Sequence, residues 1–136
     1  MKRFVRVIIR TTQGRFLVLR ELSRPWWNFP GGKVERDESP IEAARRELME
    51  EVGLDVEPAE LELIDHGVFD VRGVAWEGFF YFAHHVRGEA KPREGEDVVS
   101  LSWSTLEELS SLASLPGLLE DVARLVQTRG PSTRQR

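Results

Sequence analysis

The chain contains no cysteine among its 136 residues. This absence excludes disulfide bonds, thiol catalysis and metal sites built on cysteine. It also fits a reducing compartment, and we predict a cytoplasmic location. The sequence lacks any run of about 18 apolar residues, which is the length that a membrane-spanning helix needs. We therefore expect no membrane partner.

A surplus of basic residues is also missing. Nineteen Lys and Arg residues stand against 23 Asp and Glu residues, which gives a net charge of −4 at pH 7. A protein that binds a nucleic-acid polymer is more often basic, so we expect no such partner. A small phosphorylated ligand remains compatible with an acidic protein if a metal ion neutralises its charge.

Apolar segments separated by turn residues predict an α/β domain with a mixed sheet. The predicted strands cover residues 3–10, 15–21, 61–71, 76–86 and 98–103, and the turn TTQG joins the first two as a hairpin. Two helices follow the last strand, one capped by Ser104 and Glu107 and one over residues 116–127. We expect a single domain over residues 1–128 and a disordered tail over 129–136.

The clearest helix in the sequence begins after Ser39. Ser39 and Glu42 match a capping box, and Pro40 occupies the first helical position. Gly53 provides the C-terminal stop. Apolar residues recur between these ends at three- and four-residue spacing, which predicts one buried stripe.

Three acids crowd the end of this helix. Glu47 lies three residues before Glu50 and four before Glu51, so all three point to one side. Like charges at this spacing cost roughly 0.2–0.5 kcal/mol per pair, and the helix C-terminus disfavours anions by about 0.3–1 kcal/mol. A divalent cation with oxygen ligands would remove the repulsion. The helix alone favours another interpretation, a solvated acidic face partly neutralised by Arg45 and Arg46, because acid-rich surface helices are common.

The preceding loop favours a functional site, because its PGG sequence lets the main chain approach a ligand closely. The segment from Gly32 to Leu54 resembles the Nudix box, G-x5-E-x7-R-E-U-x-E-E-x-G-U, in which U is a bulky aliphatic residue. All nine fixed positions match at the required spacing: Gly32, Glu38, Arg46, Glu47, Leu48, Glu50, Glu51, Gly53 and Leu54. The order of strands and helices is also similar. The resemblance implies a Nudix-type α/β/α sandwich with a mixed β-sheet.

Nudix enzymes hydrolyse a nucleoside diphosphate linked to another moiety, X, with the help of Mg²⁺ or Mn²⁺. The resemblance implies four ligands for Mg²⁺, with Mn²⁺ as an alternative: the Gly32 carbonyl and the carboxylates of Glu47, Glu50 and Glu51. It implies catalytic roles for Glu47 and Glu51, with Arg46 orienting the carboxylates and Glu38 supporting them. The general base stays open between Glu47 and an acid from a later loop.

Residues outside the box are also candidates for the site. The resemblance implies a further metal ligand in the loop before the last strand, at Glu96 or Asp97; the alternative is a solvated charged loop. Trp27 and Phe29 share a face on an extended segment and could stack on a base, unless they belong to the core. Arg20 could reach phosphates, or lie on the surface.

Substrate choice in this family depends on residues outside the box. The chain lacks the sequence signatures that are typical of family members hydrolysing ADP-ribose, dinucleoside polyphosphates, coenzyme A or NADH. Among the activities that the resemblance implies, this leaves a (d)NTP pyrophosphohydrolase, which gives a nucleoside monophosphate and pyrophosphate. The alternatives are a hydrolase of another nucleoside diphosphate-X and a non-catalytic nucleotide-binding sensor. We expect a small-molecule nucleotide as the partner, and a monomer or homodimer.

Overall fold

The computed structural model describes residues 1–112, 118–127 and 129–135. Within these residues the strands are β1 (Lys2–Ile8), β2 (Phe16–Glu21), β3 (Trp27–Asn28), β4 (Gly31–Lys33), β5 (Leu61–Val71), β6 (Val74–Ala83), β7 (His85–Arg87), β8 (Val98–Ser104) and β9 (Thr133–Gln135). The helices are α1 (Pro40–Val52), α2 (Leu106–Ser111) and α3 (Leu118–Arg124), with a 3₁₀ turn at Pro58–Glu60.

The strand β1 lies inside a four-stranded sheet with the order β4-β1-β6-β5. It runs parallel to β6 and antiparallel to β4, while β5 and β6 pair as an antiparallel hairpin. A second, antiparallel sheet has the order β3-β2-β8, and β7 pairs with β9 in parallel. The mixture of parallel and antiparallel pairs confirms the predicted mixed sheet.

The apolar side chains of the strands form two core clusters, because successive side chains of a strand point to opposite faces. On one face, Val5 packs in a cluster with Leu48 of α1. On the other face, Ile8 packs in a cluster with Leu109 of α2 and Val122 of α3. Helix α1 therefore covers one face, and α2 and α3 cover the other. This arrangement confirms the α/β/α sandwich.

Helix α1 begins and ends where the sequence predicts. The Ser39 hydroxyl accepts a hydrogen bond from the Glu42 amide at 3.1 Å, and the Glu42 carboxylate accepts one from the Ser39 amide at 3.0 Å. At the other end Gly53 adopts the left-handed conformation, with a φ of 74°, and donates to the Met49 carbonyl at 3.0 Å. Both ends of the helix are thus capped, which fixes the register of its acids.

The N-terminal hairpin is shorter than predicted. The amide of Thr11 donates to the Arg15 carbonyl at 2.8 Å, and the amide of Leu17 donates to the Ile9 carbonyl at 3.1 Å. Beyond this turn β1 and β2 separate and join different sheets. The strand predicted over residues 76–86 is likewise divided, into β6 and β7.

The N-cap of α2 is Thr105, which forms the capping box with Glu108. Ser104 belongs to β8, is 1% exposed, and its hydroxyl lies 2.8 Å from the Ser102 hydroxyl. The Ser104 side chain is therefore unavailable to cap the helix. The prediction of a capping box at Ser104 and Glu107 was wrong by one residue.

The C-terminal segment differs from the predicted disordered tail. Arg129 donates two hydrogen bonds to the Glu62 carboxylate, at 2.9 and 2.7 Å, and β9 pairs with β7. The predicted start of the last helix, at residue 116, lies outside the described residues. None of the helices that the structure describes is long and apolar enough to cross a membrane.

Candidate active site

The acids of α1 lie beside the glycine strand β4. Leu48 and Val52 anchor one face of the helix in the core, which leaves the acids on its remaining surface. Their exposure decreases along the row: the side chain of Glu50 is 45% exposed, that of Glu47 is 16% exposed, and Glu51 as a whole is 6% exposed. The row therefore runs from solvent into the protein interior.

Arg46 holds the outer part of this row together. Its guanidinium donates to both oxygens of Glu38, at 2.6 and 2.9 Å, in a bidentate pair. The same side chain donates to Glu47 at 3.0 Å, to Glu50 at 3.2 Å and to the Lys33 carbonyl at 3.1 Å. The hydrogen bonds from Arg46 to Glu38 hold the pKa of Glu38 below its ordinary value. One arginine thus orients three carboxylates and ties them to β4.

Glu47 packs directly against the main chain of β4. A Cβ atom on residue 32 would lie 2.5 Å from Oε1 of Glu47, so a larger residue at this position would displace the carboxylate from its place against β4. Burial raises the pKa of Glu47, and the positive charge of Arg46 opposes that rise. The Glu47 carboxylate therefore lies against Gly32 in a site where burial disfavours its negative charge.

Glu51 is the innermost acid. Its Oε1 accepts a hydrogen bond from the Gly31 amide at 2.9 Å. Burial, and next the charge of Glu47, raise the pKa of Glu51 to about 8, against the influence of Arg6 and of the Gly31 amide. At neutral pH this carboxyl group is held largely as the neutral acid in the absence of a cation.

The site offers oxygen donors, which are the ligands that hard divalent cations prefer. Within the described part of the chain, however, no three acidic or histidine side chains are close enough together to hold a metal ion as they stand. The reason is visible in the contacts: Glu47 and Glu50 bind Arg46, whereas Glu51 binds the Gly31 amide. The donor types fit a divalent cation, and the half-exposed Glu50 is the carboxylate with most freedom to turn toward one.

The two downstream acids occupy different positions. Asp97 accepts hydrogen bonds from the Ser23 hydroxyl, through its carboxylate, and from the Leu22 amide, through its carbonyl. Glu96 is exposed in the preceding turn, where its amide donates to the Arg93 carbonyl at 3.2 Å. Asp97 is thereby held beside β2, whereas the contacts of Glu96 lie within its own loop. Neither contact joins these acids to those of α1.

A cavity of about 420 Å³ opens next to Gly32. We call it the groove. Its lining includes three aromatic residues, four basic residues and no acidic one: Phe4, Arg6, Ser23, Arg24, Trp26, Gly32, Lys33, Val71, Arg72 and Trp76. Aromatic rings are suited to stack on a nucleobase, and the basic side chains to bind phosphates.

Trp26 and Arg72 close one side of the groove. The Arg72 guanidinium lies 4.3 Å from the centre of the Trp26 ring, which is a cation–π contact. Arg72 occupies the turn between β5 and β6 with a φ of 55°, and Gly73 follows with a φ of 81°. The two residues come from distant parts of the chain, so neither belongs to a local motif that the sequence could reveal.

The structure does not bring the predicted substrate-binding residues to the groove. Phe29 is 1% exposed in the core cluster around α2 and α3, and Trp27 packs against the same cluster. Arg20 is exposed and donates to the Ser100 hydroxyl at 3.3 Å. Trp27 and Phe29 do share a face, as predicted, but that face is turned to the core. The adjacent Trp26 points to the groove instead.

Sequence reasoning missed Arg6, which lines the groove and a second, small cavity that also contains Glu51. The available signal was a charged residue inside the apolar strand FVRVII. Trp76, near the start of β6, lines the groove as well. Its ring forms an edge contact with Phe4 at 6.3 Å between centres.

Comparison with known proteins places the chain in a family. A family model described as the NUDIX domain matches residues 2–126. The chain resembles an RNA pyrophosphohydrolase of Marinomonas sp., with 43% identity over 60 residues that cover 44% of this chain and 36% of that protein. It also resembles the 8-oxo-dGDP phosphatase NUDT18 of Homo sapiens, with 31% identity over 128 residues that cover 90% and 37%. The chain thus spans little more than a third of the length of these two relatives.

Among solved structures, the fold is similar to that of a MutT protein from Methanosarcina mazei. The TM-score is 0.75 at 25% sequence identity, and the superposition covers 93% of this chain and 94% of that one. In this case the two chains match over nearly their whole lengths.

Proposed function

Because the chain belongs to the Nudix hydrolase family, we propose that it hydrolyses nucleoside triphosphates to a nucleoside monophosphate and pyrophosphate. The observation that carries this proposal is the charge of the groove. Four basic and no acidic side chains line it, in a protein whose net charge is −4. A triphosphate carries more negative charge than a nucleotide sugar, whose terminal group is neutral, and therefore fits this lining better.

The aromatic residues of the groove are the proposed nucleoside site. Trp26 and Trp76 offer ring faces, and Arg72 already lies over Trp26. Stacking of a base on an aromatic side chain is worth about 1–3 kcal/mol per base. We assign this role to Trp26 in place of Trp27 and Phe29, since those two side chains pack into the core.

The acids of α1 are the proposed metal ligands. Glu47, Glu50, Glu51 and the Gly32 carbonyl would hold Mg²⁺, and Mn²⁺ offers the same coordination chemistry. When bound, the cation supplies neutralisation of the phosphate oxygens and activation of the attacking water. Arg46, itself held by Glu38, donates a hydrogen bond to Glu47 and so keeps this acid in place. As a further ligand we favour Asp97 over Glu96, because Asp97 is hydrogen-bonded to Ser23, which lines the groove.

A triphosphorylated RNA 5′ end is the second candidate substrate. It presents the same anionic chain, and the Marinomonas relative is named an RNA pyrophosphohydrolase. That match covers 44% of this chain, however, and the net charge of −4 gives no support for binding a long polymer.

The test is turnover of a substrate panel with Mg²⁺, with Mn²⁺ and with chelator. The panel contains nucleoside triphosphates, 8-oxo-dGDP, nucleotide sugars, ADP-ribose, dinucleoside polyphosphates and a triphosphorylated RNA. We expect metal-dependent release of pyrophosphate from triphosphates, and loss of this activity in Glu50→Gln. Glu107→Gln, at an exposed position of α2, is the matched control and should keep wild-type turnover. Faster turnover of nucleotide sugars would refute the triphosphate assignment, and binding without turnover would favour a sensor.

A further inference from the structure

Arg6 occupies an unusual position for a charged residue. It belongs to β1, between Val5 and Val7, and β1 is paired on both sides, with β4 and with β6. The residue is 8% exposed. A guanidinium does not lose its proton in a protein, so Arg6 keeps its full charge there. Buried charges need partners, and the contacts of Arg6 show which of its donors are already used.

The described contacts occupy only part of the Arg6 guanidinium. One terminal nitrogen donates to the Phe29 carbonyl at 3.1 Å, and the group lies 5.8 Å from the centre of the Phe4 ring. Among the ion pairs of the described residues, none within 4.0 Å involves Arg6. An arginine side chain carries five N–H donors in a planar fork. The bond to Phe29 therefore uses one of these donors and leaves others available.

Arg6 lies at the junction between the groove and the acids. Arg6 lines the groove, and it also lines the small cavity whose walls include Glu51, Glu21 and Arg24. Arg24 shares both linings, but its side chain is 51% exposed and it is paired with Glu21 at 3.6 Å. Arg6 is thus the buried basic residue at this junction, and no carboxylate neutralises it at contact distance within the described chain.

We propose that Arg6 binds the phosphate chain of the substrate where the groove meets Glu51. In this role it is a permanent cation, held in position before the substrate arrives, that supplements whatever charge a bound metal provides. The inference rests on the proposed function, because it assumes a phosphate substrate in the groove. It adds a phosphate ligand outside the Nudix box and explains why the otherwise apolar stretch FVRVII carries an arginine.

An alternative role for Arg6 is purely electrostatic support of Glu51. The two roles predict different results for the same variant. A phosphate ligand affects nucleotide affinity even when the metal site is saturated. A residue that only supports Glu51 affects the metal site itself and leaves nucleotide affinity at saturating metal unchanged.

The experiment compares Arg6→Met and Arg6→Lys with wild type and with Arg124→Met. Arg124 lies on α3, is 61% exposed and does not line the groove, so its variant controls for the loss of one positive charge. Arg6 forms no ion pair within 4.0 Å in the described chain, so its replacement by the apolar Met breaks none, and we expect Arg6→Met to fold. Thermal denaturation of each variant checks this point, and Arg6→Lys provides a variant that retains the charge.

Two affinities are measured by calorimetry: that of an α,β-methylene nucleoside triphosphate at saturating Mg²⁺, and that of Mg²⁺ alone. A hydrogen bond between charged groups contributes more binding free energy than a neutral one. We therefore expect Arg6→Met to bind the analogue about tenfold more weakly, or worse. Arg6→Lys should fall between this variant and wild type, since it keeps the charge without the fork. Arg124→Met should match wild type. Affinity for Mg²⁺ alone should not fall in Arg6→Met, because removing a cation relieves repulsion of the metal.

Unchanged analogue affinity in a folded Arg6→Met variant would overturn the inference, as would a loss confined to Mg²⁺ binding. The outcome is separable from the proposed function. If wild type hydrolyses triphosphates while Arg6→Met keeps the wild-type KM and analogue affinity, the function stands and the inference fails. If wild type binds the analogue through Arg6 but hydrolyses no triphosphate, the inference stands and the proposed function fails.

Discussion

Glu51 and Glu62 are two glutamates whose surroundings shift their pKa values in opposite directions. Glu62 accepts two hydrogen bonds from Arg129 and lies 2.9 Å from His84, and these partners lower its pKa to about 2. Glu51 is buried against the Gly31 amide without an arginine in contact, and its pKa rises to about 8. The fold places an arginine in contact with Glu62, whereas the nearest influence of a cation on Glu51 is that of Arg6, which forms no ion pair with it within 4.0 Å. Glu62 thus has its partner within the chain, whereas Glu51 is a carboxylate that we propose as a ligand of an external cation.

The largest expected effect is on turnover. Glu51→Gln removes the carboxylate that we assign to the metal site, and kcat should fall by at least about a hundredfold, since even residues that only support metal ligands cost 10–100-fold. Glu62→Gln should retain wild-type kcat, because Glu62 lies in the ion pair with Arg129. Steady-state kinetics with Mg²⁺ measures both variants. An equal loss of kcat in the two variants would contradict the assignment of Glu51, and not Glu62, to the active site.

The adjacent residues Trp26 and Trp27 give a second comparison between a residue of the proposed substrate site and a residue that stabilises the fold. Trp26→Ala should raise KM about tenfold, since stacking on a base is worth about 1–3 kcal/mol, and should leave the melting temperature nearly unchanged. Trp27→Ala should lower the melting temperature and leave KM nearly unchanged, because Trp27 packs against the core. Steady-state kinetics gives KM, and thermal denaturation gives the melting temperature, for each of the two variants. A higher KM in Trp27→Ala alone would show that our assignment of the groove is wrong.

Metal-free stability should depend on pH through Glu51. Its folded-state pKa lies above the value of an unfolded glutamate, about 4.3, so its contribution to stability is present at low pH and is lost as pH rises through about 8. At pH 9 with chelator, Glu51→Gln should therefore be more stable than wild type by more than about 1 kcal/mol. Mg²⁺ should stabilise wild type and have little effect on the variant. Denaturant unfolding at pH 5 and pH 9 tests both statements.

The smallest effect is expected at Glu62. Its folded-state pKa is lowered, so its contribution is present above the unfolded value and is lost as pH falls toward about 2. Because its side chain is 40% exposed, solvent screening limits the pair to about 0.2–1 kcal/mol. Glu62→Gln should be less stable than wild type by this amount at pH 7 and equally stable near pH 2. A difference that persists at low pH would contradict the assignment to the ion pair.

The sequence predicted the acid-bearing part of the site because its contacts are local. Glu38, Arg46 and Glu47 lie within ten residues, and helical spacing together with one capping box determines how they meet. Their arrangement around Arg46 follows from that spacing. Their roles as metal ligands and catalytic residues stay predictions.

The groove could not be predicted in the same way, because its walls come from separate segments. Phe4 and Trp76 meet through the pairing of β1 with β6, and Arg72 reaches Trp26 from the turn between β5 and β6. Alternation along an extended chain correctly placed Trp27 and Phe29 on one face. It cannot decide which face is turned to the core, because that depends on where α2 and α3 pack.

The most direct test of this account is the rate of Mg²⁺-dependent hydrolysis of a nucleoside triphosphate against a nucleotide sugar of the same base. Both are measured at equal concentrations with wild type and with Glu51→Gln. We predict that wild type releases pyrophosphate and monophosphate from the triphosphate faster than it cleaves the sugar, and that chelator or Glu51→Gln removes this activity. Faster cleavage of the nucleotide sugar, or turnover that survives both chelator and Glu51→Gln, would contradict the account.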